Sequence, residues 1–93
     1  MPEPSQPERR RRAAALHYEP GQSAPEVTAT GSGLVAERIL AAAREAGVPI
    51  RSDPALAEAL AALELGAEVP AAMWVAVAEA LAWAYRLDAQ ARA

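Results

Sequence analysis

Few side chains in this sequence are capable of chemistry, and their types already exclude most of it. There is one histidine, His17, and no cysteine, asparagine or lysine. Without a thiol there is no disulfide framework, no thiolate nucleophile and no zinc site of the Cys/His kind. Acid–base or nucleophilic catalysis needs a poised base beside a reacting group. His17 is followed by Tyr18, with no Ser or Cys flanking it. Ser5, Ser23, Ser32 and Ser52 fall in loop-like stretches and lack the G-x-S-x-G elbow that presents a nucleophile. Gly31-Ser32-Gly33 has part of a phosphate-cradling loop but neither the third glycine nor the P-loop lysine. It reads as a strand-to-helix turn with Ser32 as N-cap. The remaining carboxylates are spread over helix faces. These residues give no enzyme, no cofactor and no metal site.

The whole chain sets further bounds. At 93 residues it holds one domain with a modest core. Phe is absent and aromatics are 4%, so a core of Ala, Leu and Val relies on close backbone approach. No apolar run approaches the ~20 residues that span a bilayer, and no signal peptide is legible, so the expected location is cytoplasmic without direct membrane insertion. Met1–Arg12 is Pro-rich and ends in four consecutive arginines, Arg9–Arg12, a composition expected to be a disordered tail. A net charge of −3 argues against a nucleic-acid partner. The alternative function is a small regulatory adaptor that docks acidic partners or RNA through this tail.

The elements follow from spacing and punctuation. Ala13–Tyr18 and Pro25–Thr30 flank Glu19-Pro20-Gly21-Gln22 and predict a hairpin, with Val27 and Ala29 on one face. Leu34–Ala46 predicts a helix with Val35, Ile39, Ala42, Ala43 and Ala46 on its apolar side, stopped by Gly47. Val48–Arg51 predicts a third strand, joined to the second by a right-handed parallel crossover. Ser52-Asp53-Pro54 starts a helix with Leu56, Leu60 and Leu63 on one stripe, closed by Gly66. Pro70 opens the last helix, to about Leu87, with Met73, Val77, Ala80 and Ala84 in line and Trp74 and Leu81 beside them. Trp74 and Trp83 fall on opposite sides, so one of them lies near the surface. The fold class is α/β (α+β): a small mixed sheet of about three strands packed by about three helices. Its organisation is a tail over 1–12, a domain over 13–88 and a frayed end over 89–93.

The markers A-L-x-Y, A-P, G-x-G-L, G-V-P-I, LELGAEVP and AVAEALAWAYRL occur in that order between Ala13 and Leu87. This series resembles the cytoplasmic C-terminal domain of the FlhB family, the export switch proteins of flagellar and injectisome type III secretion. The resemblance implies a small sheet wrapped by helices and a role as a soluble component of flagellar protein export. It implies export substrates, gate proteins (a membrane FlhB and an FlhA-type protein) and a hook-length control protein as partners, and a peripheral position at the gate. The family cleaves itself at an Asn-Pro-Thr-His motif; counting back from Ala15-Leu16-His17-Tyr18, that place holds Glu8-Arg9-Arg10-Arg11. Cleavage uses the Asn side chain, which this chain lacks, so a non-cleaving member is expected, like the family's post-cleavage half encoded separately.

The resemblance also carries sites. The family's apolar patch for short hydrophobic export signals maps to Ala24, Pro25, Ala78 and Leu81; the alternative is that all four pack in the core. Ala78 and Leu81 are i, i+3 neighbours on a helix. In the family a further strand pairs with the one matching Ala13, Ala14, Ala15, Leu16, His17 and Tyr18, so this edge is a candidate for pairing in trans with a membrane-bound FlhB. Glu58 stands where relatives often carry a basic residue, which removes that contact from the carry-over.

Overall fold

The computed structural model of the chain describes residues 11–92. The chain first reverses at Pro20-Gly21. Gly21 takes φ 99°, which glycine adopts without steric cost, and the Gln22 N–H closes the turn on the Glu19 carbonyl at 3.1 Å. The Gln22 side chain accepts from the Glu19 N–H as well. This reversal joins β1 (Arg12–His17) to β2 (Glu26–Ser32) in an antiparallel pair. The register is Ala15 opposite Ala29 but Leu16 opposite Val27, which leaves Thr28 as the extra residue of a β-bulge. Its hydroxyl donates to the Ala15 carbonyl at 3.3 Å. The bulge lets Val27 turn fully inward while Thr28 stays exposed.

The described sheet has two strands, not three, and the second partner of β2 is not the one the sequence predicts. Val48–Arg51 forms no strand, and the parallel crossover is absent. The physical reason lies at Pro49, which has no N–H for a ladder, and at Arg51, whose guanidinium reaches the Glu79 carbonyl at 3.1 Å. The other edge of β2 is met instead by Gly66–Val69, running antiparallel. Val27 N–H donates to Ala67 O at 3.0 Å, Gly66 N–H to Val27 O at 2.7 Å and Val69 N–H to Pro25 O at 2.9 Å. Glu26 and Glu68 are the paired residues of this contact.

Among the described residues, three α-helices complete the fold. In α1 (Leu34–Ala46) the N-cap is Gly33 rather than Ser32, and no side chain caps it; Ser32 ends β2. Glu37 N–H meets the Gly33 carbonyl at 3.1 Å. At the other end Gly47 is left-handed (φ 75°), and Gly47 and Val48 N–H groups close onto Arg44 and Ala43 carbonyls, a Schellman-type stop. Ala36, not the predicted stripe, is its fully buried residue, and Val35 is half exposed. Val35 and Ile39 instead cover Gly31 of β2. A Cβ there would lie 2.3 Å from Val35 Cγ1, so only glycine permits this approach.

α2 (Pro54–Ala61) starts as its punctuation predicts: the Asp53 carboxylate accepts from Leu56 N–H at 3.1 Å and Pro54 sits at the first helical position. After a 3-10 turn at Ala71–Met73, α3 runs Trp74–Arg92, five residues past Leu87. Of the tail expected over 1–12, residues 1–10 lie outside the described residues, and Arg12 belongs to β1.

The core brings these elements together at Val27, Leu60, Val69 and Val77, all buried, with Leu16, Leu56, Leu63, Met73 and Leu81 packed around them. β2, α2, the Gly66–Val69 edge and α3 each contribute one β-branched or leucine side chain, worth roughly 1.5–3 kcal/mol on burial. Ala13 and Ala24 are buried as well. The result is an α+β domain whose hairpin and Gly66–Val69 edge hold α3 across one end.

Candidate functional site

α3 carries two parallel stripes. Met73, Val77, Ala80 and Ala84 lie toward the core, and Val77 is fully buried. The neighbouring stripe, Trp74, Ala78, Leu81, Ala82 and Tyr85, recurs at helical spacing and leaves Trp74 and Tyr85 about half exposed. It forms one wall of an open groove of about 380 Å³. The facing wall comes from the hairpin: Tyr18 at the end of β1, then Ser23 and Pro25 on the way into β2.

Local geometry holds these walls apart. Pro25 is locked into the sheet edge because its carbonyl accepts from Val69 N–H. Trp74 is fixed by its indole N–H, which donates to the Val69 carbonyl at 2.9 Å. One residue, Val69, thereby holds both sides: its N–H fastens the hairpin and its C=O fastens the indole. The ring remains 48% exposed and Tyr85 54% exposed. Large apolar surface left open beside a formed groove marks an interaction site.

The sequence-predicted residues divide as follows. Pro25, Ala78 and Leu81 line this one groove. Ala24 is buried beside Pro25 and does not line it. Pro25 is buried, Leu81 partly so and Ala78 exposed, so the set is neither all core nor all surface. Trp74, Tyr85, Tyr18, Ser23, Val77 and Ala82 complete the lining and were not singled out as site residues. The signal that finds those on α3 is its second stripe; the sequence places Trp74 beside the core line and leaves open whether it or Trp83 is the exposed tryptophan. Of the candidate edge residues, Ala13–His17 lie in β1 and Tyr18 just past it. β1 pairs with β2 on one side, and no described strand meets its other side.

Ser23 brings a polar group to the hairpin wall of the groove. Ser23 Oγ donates to Glu68 Oε2 at 2.9 Å, and His17 Nε2 lies 3.4 Å from Glu19 Oε2. Among the described residues no cluster of His, Asp and Glu could hold a metal. The arrangement can bind apolar side chains by removing them from water.

Residues 10–84 match the FlhB HrpN YscU SpaS family. The chain belongs to that family. Among relatives of this FlhB-family chain, YlqH of Bacillus subtilis strain 168 is 44% identical over 79 residues, covering 84% of this chain and 85% of YlqH. The flagellar biosynthetic protein FlhB of Yersinia enterocolitica is 47% identical over 77 residues, 81% of this chain but 20% of that protein. The chain thus spans about a fifth of the FlhB protein it matches. Among solved structures, a mutated EscU C-terminal domain superposes with a TM-score of 0.75 at 26% identity, covering 81% of this chain and 93% of that one. The PscU C-terminal domain gives 0.73 at 31% identity over 77% of this chain and 94% of its own. The FlhB-family fold here is therefore that of the C-terminal domains of EscU and PscU, and no described helix is long and apolar enough to cross a membrane.

Proposed function

We propose that this chain is a non-cleaving component of the flagellar type III protein export apparatus, a protein-binding module rather than an enzyme. Its groove receives short apolar export signals, and it works in the cytoplasm, peripheral to the export gate. The observation that carries the reading is the convergence of Pro25, Ala78 and Leu81 with Trp74 on one open apolar groove. A leucine-sized anchor moved into it gains roughly 1.5–3 kcal/mol, enough for a reversible signal contact. Partners follow from this role: export substrates, the membrane FlhB and FlhA-type gate proteins, and the hook-length control protein. Absence of self-cleavage rests on chemistry, since no asparagine side chain exists to attack its own carbonyl.

A second contact is supported by the unpaired side of β1. Its backbone groups can accept a strand from a membrane-bound FlhB in trans. The test of the groove is calorimetric titration with a short apolar helical peptide, comparing the native protein with Ala78→Asp. Ala78 is exposed, so the charge leaves the fold intact; binding by the native protein and its loss in the variant support the reading. Equal binding by both, or by neither, removes it.

A further inference from the structure

We propose that the groove selects apolar segments carrying an arginine or lysine at the end that meets Ser23, and that Glu68 is the residue that reads this charge. The inference rests on the docking role above and specifies its ligand. Ser23 lines the groove, and its hydroxyl holds the Glu68 carboxylate at 2.9 Å, one hydrogen bond from the apolar lining. Glu26 follows the lining residue Pro25 and stands directly opposite Glu68. The flanking bonds, Val27 N–H to Ala67 O and Val69 N–H to Pro25 O, make this a non-hydrogen-bonded pair. That is the close class of antiparallel pair, with Cα atoms about 4.5 Å apart.

Two carboxylates held directly opposite each other repel. No arginine occurs in residues 18–30 or 62–70. Arg12 lies at the far end of β1, opposite Ser32, and Arg51 is engaged with the Glu79 carbonyl. Glu19 adds a third acid at the turn, and His17, 3.4 Å from it, is also the β1 residue opposite Glu26, so three carboxylates share one imidazole. The last lining residue along α3 is Tyr85, followed by Arg86. The groove therefore has an acidic end and an apolar body. A cationic side chain next to apolar anchors answers both: the anchors fill the body and the cation relieves the Glu26–Glu68 repulsion.

The test uses the full chain and two synthetic helical peptides with identical leucine anchors, one bearing arginine at one flank and the other glutamine. Glu68→Gln keeps an acceptor for Ser23 Oγ and removes the charge. At low salt the native protein should bind the arginine peptide about two- to fivefold more tightly, and Glu68→Gln or added salt should erase the difference. Equal affinities for the two peptides overturn charge reading and leave the apolar groove standing. Binding of neither peptide overturns the groove and this inference together.

Discussion

The indole N–H of Trp74 donates to the carbonyl of Val69 at 2.9 Å, while the N–H of Val69 donates to Pro25. This double use of one peptide unit joins the hairpin, the Gly66–Val69 edge and the start of α3. Trp74→Phe keeps the ring's apolar area and removes the donor. It should cost about 0.5–1.5 kcal/mol in urea unfolding and weaken peptide binding through loss of the fixed groove wall. Unchanged stability and unchanged binding would show that the bond positions nothing.

Gly31 is where α1 reaches the sheet. Gly31→Ala puts a methyl 2.3 Å from Val35 Cγ1 and 3.2 Å from Ile39 Cδ1, so the helix must shift. Overpacking of this kind costs about 1–3 kcal/mol, read as a lower thermal midpoint. Combining it with Val35→Ala should return most of the loss. A single variant as stable as the native protein contradicts the close approach.

The start of α2 offers a cleaner measure. Asp53→Ala removes the acceptor for Leu56 N–H and should cost about 0.5–2 kcal/mol, while Asp53→Asn should cost little. Equal losses for both substitutions would point away from capping.

Glu26→Lys turns a like-charge cross-strand pair into an opposite one without touching the Ser23–Glu68 bond. It should stabilise the protein by about 0.2–1 kcal/mol, less at high salt. A loss of stability would mean that the two carboxylates do not feel each other.

Much of this was legible where one residue dictates one geometry. Pro20-Gly21, Gly47 and Asp53-Pro54 each fix a turn, a stop or a cap by their own covalent structure, and each sits where the sequence places it. Alanine-rich α1 was not legible in the same way: its apolar stripe carries little weight, so the buried residue is Ala36, chosen by the glycine beneath Val35. The partner of β2 was misread for a different reason. Val48-Pro49-Ile50 has strand-like residues, but which stretch satisfies a sheet edge is settled by tertiary contact, and Gly66–Val69 supplies free N–H groups that Pro49 cannot. The groove follows the same rule. Pro25, Ala78 and Leu81 came from resemblance, whereas Tyr85 was not singled out and which of Trp74 and Trp83 is exposed stayed open, because periodicity cannot tell a stripe that is covered from one left open.

The docking role is tested most directly by amide and indole chemical shifts of the labelled protein during titration with an apolar helical peptide. The account predicts saturable shifts at the Trp74 indole N–H and at Tyr18, Ala78, Leu81 and Tyr85, with the Trp83 indole and the exposed start of α1 at Leu34 unmoved. Shifts centred on Leu34 and Val35, or none that saturate, would contradict it.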